Sequence, residues 1–334
     1  MGNEKQILTD GFGRTHNYLR ISLAERCNLR CTYCMPEHGV DLTPKEHLMT
    51  AEEILAIARL FVDHGVNKIR LTGGEPLIRK DFPAILEGLS ALPVKLSITT
   101  NGVIVDRFFD LFQETGLQDV NISLDTLNAD RFFTLTRRNH FEPVYKNILK
   151  AAALGFNTGI NVVLLKDQTE AEILDFVELT NKLNVRVKFI EFMPFAGNKW
   201  DLSKILTGNE VLEIVKESYT TSIIKLADDR NSTSVNYQIE GYEGSFGMIN
   251  TVSNPFCQGC NRIRLTADGS LKNCLFSNIE TKLLPSFREG KDISPLIAGA
   301  MGRKKRMRAG MDTIEQFSAT EKIEQNRSMI TIGG

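Results

Sequence analysis

The sequence lacks the features of several protein classes. No apolar run approaches the roughly 18 residues that a membrane-spanning helix needs, and residues 1–6 do not form the apolar core of a signal peptide. Lys plus Arg (40) and Asp plus Glu (41) nearly cancel, so a generally basic nucleic-acid binder is not indicated. Six cysteines in 334 residues are too few for a disulfide scaffold. We therefore expect a cytoplasmic globular protein that binds neither membrane nor nucleic acid.

The first two thirds of the chain alternate between short β-rich runs and amphipathic helical runs. The pattern predicts strands at residues 17–23, 68–72, 95–99, 120–124, 160–165 and 185–192. It predicts helices between them at residues 50–64, 81–92, 107–115, 144–154 and 170–183. This alternation indicates an α/β fold with a parallel sheet, and its six units are fewer than the eight of a closed barrel.

The rhythm changes near residue 200. One more helix is predicted at residues 209–219, and short strands follow at residues 222–226, 234–239, 246–251 and 262–266. We therefore predict two parts, residues 10–200 and a smaller α+β module at residues 201–334.

Three predicted strands end in polar or glycine-rich turns. These turns begin at Thr72, Thr99 and Ser123, and the first of them reads Thr-Gly-Gly-Glu-Pro. Ligands in parallel α/β folds bind at the carboxyl ends of the strands, so the turns predict the active face.

The cysteines fall into two groups of three. The first group, Cys27-x3-Cys31-x2-Cys34, follows the first predicted strand. A structural zinc site or an electron-transfer 4Fe–4S cluster normally takes four ligands, so three thiolates leave one metal position open for chemistry. The alternative is a zinc site completed by a distant residue such as His38.

The second group is Cys257-x2-Cys260-x13-Cys274, and a zinc ribbon with a fourth ligand elsewhere is its alternative interpretation. Arg262 and Arg264 lie between its cysteines. If that run is a strand, both arginines project from one face. Paired guanidinium groups beside a metal site are suited to a polyphosphate.

The first group resembles the signature of the radical S-adenosylmethionine enzymes. Tyr33 occupies the aromatic position before the last cysteine, and Gly73-Gly74-Glu75-Pro76 matches the family's second motif. The resemblance implies a partial (β/α)6 TIM-type barrel and a 4Fe–4S cluster. The open iron of that cluster would chelate S-adenosylmethionine, which an electron splits to a 5′-deoxyadenosyl radical.

The whole chain resembles the molybdenum cofactor biosynthesis protein A family, the GTP 3′,8-cyclases. The resemblance rests on both cysteine groups and on the terminal pair Gly333-Gly334. It implies a lyase that removes hydrogen from ribose C3′ of GTP and forms (8S)-3′,8-cyclo-7,8-dihydroguanosine 5′-triphosphate, the first step of molybdenum cofactor biosynthesis. The second 4Fe–4S cluster would bind the guanine base.

The resemblance also implies roles for individual residues. The S-adenosylmethionine contacts would be Tyr33, Gly74, Ser123 and Met193. The GTP contacts would be Arg20, Arg70, Thr99, Arg262, Ile263 and Arg264. The catalytic set would comprise the first cluster and the glycine tail, namely Cys27, Cys31, Cys34, Gly333 and Gly334. The second cluster would be held by Cys257, Cys260 and Cys274.

Two positions depart from the family pattern. Gly159 stands where the resemblance implies a lysine that contacts GTP, and Lys188 stands where an arginine is usual. Lysine keeps the charge but lacks the bidentate fork. A separate basic run, Arg303 to Arg308, is interpreted as a solvated helix face, and a polyphosphate or RNA contact is the alternative interpretation.

The implied partners are an electron donor such as flavodoxin or ferredoxin and a cyclic pyranopterin monophosphate synthase that takes the product. A monomer and a homodimer are both compatible with the sequence. Two alternatives remain at this stage. One is another two-cluster radical enzyme, such as a peptide or sulfatase maturase, and the other is a zinc-binding or iron–sulfur regulatory protein.

Overall fold

A computed structural model describes residues 7–35, 39–166, 168–319 and 324–333. Its strands β1 to β12 are Tyr18–Ser22, Lys68–Thr72, Lys95–Thr100, Asp119–Ser123, Asn157–Leu164, Arg186–Glu191, Ile223–Lys225, Val235–Ile239, Ser245–Ile249, Arg262–Leu265, Ser270–Lys272 and Thr281–Lys282. Its helices α1 to α11 are Ala51–Asp63, Phe82–Ser90, Phe109–Glu114, Ala129–Thr136, Phe141–Ala153, Ile173–Lys182, Gly208–Ser218, Leu284–Arg288, Ser294–Gly302, Ile314–Phe317 and Met329–Ile332.

All twelve strands belong to one sheet, in the order β12-β11-β10-β1-β2-β3-β4-β5-β6-β9-β8-β7. Pairing is parallel from β10 through β1 to β6 and on to β9. The outer strands pair antiparallel. Within the described ranges β12 and β7 do not pair, so the sheet stays open, which confirms the predicted α/β fold with an incomplete barrel.

The strands after residue 200 do not form a sheet of their own. Strand β10 adds to the edge of β1, and β9 adds to the edge of β6. Both edges of the six-stranded core would otherwise expose unpaired backbone groups, so the C-terminal strands cover them. The division into residues 10–200 and 201–334 stays a prediction. Strands of the second part pair with both edges of the sheet that the first part forms.

Local sequence signals account for the longer helices. Thr50 and Glu53 form a capping box at the start of α1, and the apolar residues of this helix are buried in the hydrophobic core. The sequence did not predict α4 or the C-terminal helices α8 to α11. Of these five, the longest, α9, has nine residues, and two have only four, which is too short for a clear apolar period.

No described helix combines the length and the apolar character required to cross a membrane.

Candidate active site

A cavity of about 790 Å³ lies against the parallel strands. Strand register places Arg20 of β1 between Arg264 of β10 and Arg70 of β2, so three guanidinium groups line one row of the wall. The predicted GTP residues that line this cavity are Arg20, Arg70, Thr99, Arg262 and Arg264. The sheet therefore brings together five residues that are spread over more than 240 positions of the sequence.

Ile263 does not share this wall. Its side chain is buried in the hydrophobic core, 1% exposed, between two arginines that face the cavity. Successive side chains of a strand point to opposite faces, so the side chain of Ile263 points away from the cavity and does not make the predicted GTP contact.

The cavity has a strong excess of positive charge. Its described lining residues include eleven lysines and arginines but only two carboxylates, Asp228 and Asp229. Burial and the neighbouring Arg264 lower the pKa of Arg20. Burial and Arg262 likewise lower the pKa of Arg264, to about 10. A ligand with several negative charges would relieve this repulsion.

Arg70 is fixed by its neighbours. Its Nε donates to Tyr18 Oη at 2.6 Å, and its Nη1 donates to Ile98 O and to Thr99 Oγ1, both at 3.2 Å. Thr99 thus orients an arginine of the cavity wall in addition to lining the cavity itself.

Gly159 and Lys188, the two departures from the family pattern, are spatial neighbours. Lys188 Nζ donates to Asn121 Oδ1 at 3.2 Å. A Cβ atom on Gly159 would lie 2.4 Å from the same Asn121 oxygen and 3.2 Å from Lys188 Nζ. The absence of a side chain at residue 159 therefore leaves room for the Lys188–Asn121 contact.

The second cysteine group, Cys257, Cys260 and Cys274, lines the same cavity. The loop that leads to it is anchored by Glu191, whose buried carboxylate accepts hydrogen bonds from Val252 N at 2.7 Å and Ser253 N at 2.9 Å. Burial opposes ionisation of the Cys260 thiol, but the nearby Lys304 and Arg262 outweigh it and lower its pKa to about 7.

The first group, Cys27, Cys31 and Cys34, lies in the loop after β1. The loop is fastened to the end of α4 by hydrogen bonds from Arg30 N to Thr136 O and from Thr32 N to Leu135 O, both of 2.9 Å. Burial and the neighbouring Cys27 raise the pKa of Cys34 to about 12. The free thiols are thus protonated, and metal binding must displace their protons.

The donor chemistry of both groups fits an iron–sulfur cluster, because each group supplies three cysteine thiols and thiolates are the ligands that hold such clusters. In a cubane cluster each thiolate binds a different iron. Among the described residues, no three His, Cys, Asp or Glu side chains form a group that could hold one metal ion. His38, the suggested fourth zinc ligand, lies outside the described residues.

The glycine motif packs directly on the first cysteine loop. Gly74 N donates to Ala24 O at 2.6 Å, and a Cβ atom on Gly74 would lie 2.3 Å from Arg26 O. Gly73 has a φ of +153°, and a Cβ atom on it would lie 2.7 Å from Ala24 O. Both glycines therefore allow two backbone segments to meet, which no side chain would permit.

Glu75, which follows these glycines, connects the strand ends to the first cysteine. Its carboxylate accepts hydrogen bonds from Thr100 Oγ1 at 2.8 Å and Asn101 N at 2.7 Å. Asn101 in turn places its Nδ2 3.5 Å from Cys27 Sγ. Burial raises the pKa of Glu75 to about 7. The sequence analysis assigns Glu75 no role of its own. A carboxylate inside a glycine turn at the end of a strand could have indicated one.

Tyr33 is held by a second residue that sequence reasoning left unassigned. Its hydroxyl donates to Asp125 Oδ2 at 2.6 Å, and Asp125 Oδ1 accepts from Val163 N at 2.8 Å. Of the four predicted S-adenosylmethionine contacts, only Met193 lines the large cavity. Tyr33 belongs to the cysteine loop, Gly74 follows β2, and Ser123 ends β4.

Gly333 lies between the carboxyl ends of β1 and β2. Gly333 has a φ of +72°, and its carbonyl accepts a hydrogen bond of 2.5 Å from Arg264 Nη1. A Cβ atom there would lie 2.3 Å from Thr72 Oγ1. Ser328 Oγ donates to Cys34 O at 3.1 Å, so the last helix also contacts the first cysteine loop. Gly334 lies outside the described residues.

The basic run at residues 303–308 is not a helix face, contrary to the sequence-based interpretation, although Arg303, Lys305 and Arg306 are exposed to solvent. It follows the end of α9 as an irregular segment. Lys304 and Arg308 are only 5% and 4% exposed, and both line the cavity. Tertiary contacts with backbone carbonyls turn these two side chains inward.

Comparison with known proteins identifies the family. Residues 21–180 match the family described as Radical SAM superfamily, and residues 185–309 match Molybdenum Cofactor Synthesis C. The chain is 46% identical to GTP 3′,8-cyclase, mitochondrial, of Arabidopsis thaliana, over 98% of this chain and 84% of that protein. It is 42% identical to GTP 3′,8-cyclase of Listeria welshimeri, over 90% of this chain and 91% of that protein. This chain belongs to the GTP 3′,8-cyclase family.

Family membership confirms the resemblance drawn from the cysteine motifs. The chain is also 48% identical to Molybdenum cofactor biosynthesis protein 1 of Mus musculus, over 98% of this chain but 51% of that protein. It therefore spans about half the length of this and several other curated relatives.

Among solved structures, Streptococcus suis SuiB bound to S-adenosylmethionine superposes on this family member with a TM-score of 0.58. The match covers 86% of this chain and 68% of that chain at 18% identity. At that identity the similarity concerns the fold alone, and it supports the radical S-adenosylmethionine architecture.

Proposed function

We propose that the chain converts GTP to (8S)-3′,8-cyclo-7,8-dihydroguanosine 5′-triphosphate, the first step of molybdenum cofactor biosynthesis. The observation that carries the proposal is the cationic cavity, whose wall combines the arginine row with the second cysteine triad. A triphosphate matches the charge of this wall, and a triad with an open iron position beside it matches a nucleobase ligand.

In this proposal Cys27, Cys31 and Cys34 hold one 4Fe–4S cluster, and Cys257, Cys260 and Cys274 hold the other. When bound there, the first cluster and S-adenosylmethionine would supply the radical chemistry that the C3′ position of GTP requires. The chain orients the reactants: Tyr33, Gly74, Ser123 and Met193 hold S-adenosylmethionine.

The remaining assignments concern the substrate. Arg20, Arg70, Thr99, Arg262 and Arg264, which line the cavity, hold GTP. Gly333 and Gly334 close the site from the end of the chain.

The proposal also covers the electron donor, the next enzyme, the compartment and the oligomeric state. A flavodoxin or ferredoxin reduces the first cluster, and a cyclic pyranopterin monophosphate synthase takes the product. The compartment is the cytoplasm and the chain is a monomer or a homodimer. Residues 10–200 serve the first cluster, and residues 201–334 serve the second.

Turnover of GTP under strict anaerobiosis tests the function. The chain is reconstituted with iron and sulfide, reduced, and supplied with S-adenosylmethionine and GTP, and the product is identified by mass spectrometry. About eight irons and eight sulfides per chain are expected for two 4Fe–4S clusters. Binding of two zinc ions in place of iron, or the absence of the cyclised nucleotide with both clusters present, would refute the proposal.

The arginines of β10 provide a test of substrate binding. Arg262→Ala and Arg264→Ala should each weaken GTP binding by about 1–3 kcal/mol, the usual effect of losing a charge-assisted hydrogen bond. Calorimetry measures the affinity, and iron content should not change. Because Arg264 also holds Gly333, its variant should lose turnover beyond the loss of affinity, whereas Arg262→Ala should not. Wild-type affinity in both variants would contradict a role in triphosphate binding.

Lys188 should contribute to GTP binding although the family pattern has an arginine there. Its ammonium lines the cavity, and burial with Arg70 and Arg186 nearby lowers its pKa. Lys188→Met should weaken GTP binding by about 1–3 kcal/mol, and Lys188→Arg should keep most of the affinity. The exposed Lys182 at the end of α6 provides the control Lys182→Met. Equal affinities for Lys188→Met and the control would exclude the role.

A further inference from the structure

The side chain of Lys304 connects the two chain segments that carry the second cysteine triad. Its Nζ donates to Arg262 O at 3.1 Å and also donates to Asn273 O. Arg262 is two residues after Cys260, and Asn273 immediately precedes Cys274. One ammonium group thus fixes the spacing between these two cysteines.

The charge of Lys304 is buried and not neutralised by these partners. The residue is 5% exposed, and both acceptors are backbone carbonyls rather than carboxylates. A buried cation is costly unless a negative charge compensates it. An iron–sulfur cluster with three thiolate ligands would supply that negative charge on the side where Lys304 lies.

Arg14, near the start of the chain, binds the segment that carries Lys304. Arg14 Nη1 donates to Arg306 O at 2.8 Å and to Cys257 O at 2.7 Å, and its Nη2 donates to Lys305 O at 2.9 Å. Asp10 Oδ2 accepts from Arg14 Nε at 2.6 Å and keeps the guanidinium in place. The position of Lys304 relative to the third cysteine, Cys257, is therefore fixed as well.

We propose that Lys304 is the positioning residue and fixed counter-charge of the second cluster: it holds Cys260 and Cys274 at cluster spacing and raises the cluster's reduction potential. The proposal rests on the cluster assignment made above. Reduction adds one negative charge to the cluster, so a buried cation stabilises the reduced state more than the oxidised one. Within the basic run, Lys304 is therefore the residue that contacts the two cysteine-bearing segments.

The neighbouring Lys305 offers a matched control. It belongs to the same basic run, but its side chain is exposed, and the contact with Arg14 uses only its backbone carbonyl. Lys305→Gln removes the same charge one residue away without touching the cysteine segments.

The experiment uses the full chain with Cys27, Cys31 and Cys34 replaced by alanine, so that iron binds only at the second triad. Iron content and an EPR-monitored redox titration are compared for this background and for its Lys304→Gln, Lys304→Arg and Lys305→Gln derivatives. We expect the midpoint potential to become more negative in Lys304→Gln, and to stay near the background value in Lys304→Arg and Lys305→Gln.

A Lys304→Gln derivative with full iron and the potential of the Lys305→Gln control would overturn the proposal. If Lys304→Gln loses iron, its potential cannot be measured, and Lys304→Arg becomes the test because it keeps the charge. Iron content and a midpoint potential equal to those of the background in Lys304→Arg support the proposal. Loss of iron from Lys304→Arg overturns it. Failure of the background itself to bind iron would instead refute the cluster assignment, so the two failures are distinguishable.

Discussion

Replacing Cys31 with alanine is expected to abolish cleavage of S-adenosylmethionine and leave the second cysteine triad able to bind iron. A cluster held by two thiolates would lose the geometry that leaves one iron open for the cofactor. The two triads also occupy separate parts of the structure: the first lies in the loop after β1, whereas the second lines the cationic cavity. The measurement is the formation of 5′-deoxyadenosine under reducing, anaerobic conditions.

Cys260→Ala is the matched control for this prediction, because it removes one thiolate from the other triad. It should lower iron content by a similar amount, yet still permit cleavage of S-adenosylmethionine and weaken GTP turnover. GTP affinity in Cys31→Ala, measured by calorimetry, should remain close to that of the wild type. Normal formation of 5′-deoxyadenosine in Cys31→Ala would refute the assignment of the first cluster.

Replacing Gly333 with alanine is expected to reduce cyclisation by about 5- to 160-fold, the rate equivalent of the 1–3 kcal/mol that a strained backbone position costs. Two features of the structure cause the effect. Its φ of +72° is unfavourable for alanine, and the added Cβ would lie 2.3 Å from Thr72 Oγ1. The last residues would therefore leave their place between the ends of β1 and β2.

Gly290→Ala separates the two causes. Gly290 has almost the same φ, +71°, but a Cβ atom there meets nothing within 4 Å. The control should therefore lose a little stability and no activity. Gly333→Ala should bind GTP and both clusters nearly as well as the wild type, because Gly333 is neither a cysteine ligand nor one of the proposed GTP contacts. Unchanged turnover in Gly333→Ala would show that the end of the chain takes no part in the reaction.

The two glycines at the start of the second motif illustrate a limit of sequence reasoning. The resemblance assigns Gly74 to S-adenosylmethionine, and that assignment stays a prediction. The structure adds a second requirement, because a Cβ atom on Gly73 or Gly74 would meet the backbone of the first cysteine loop at Ala24 or Arg26. The turn after β2 and the cysteine loop are distant in the sequence, so the close contact between them is evident only in the folded chain.

Buried partners of the site residues were also beyond the sequence. Glu75, Asp125 and Glu191 each accept hydrogen bonds from a residue that is distant in the sequence. A carboxylate carries no local signal of burial, because its preference for a buried position depends on donors supplied by other elements. For the same reason the sequence does not distinguish Lys304 and Arg308, which are buried, from the exposed residues of the basic run at 303–308.

Periodicity and spacing along the chain are enough to predict the alternation of strands and helices, both cysteine triads and the family. They do not predict that β9 and β10 extend opposite edges of one sheet. Strand register places Arg20 between Arg264 and Arg70, and the sequence does not predict this arrangement either. Hydrogen bonding between strands joins distant segments, and the local sequence of one strand does not specify its partner.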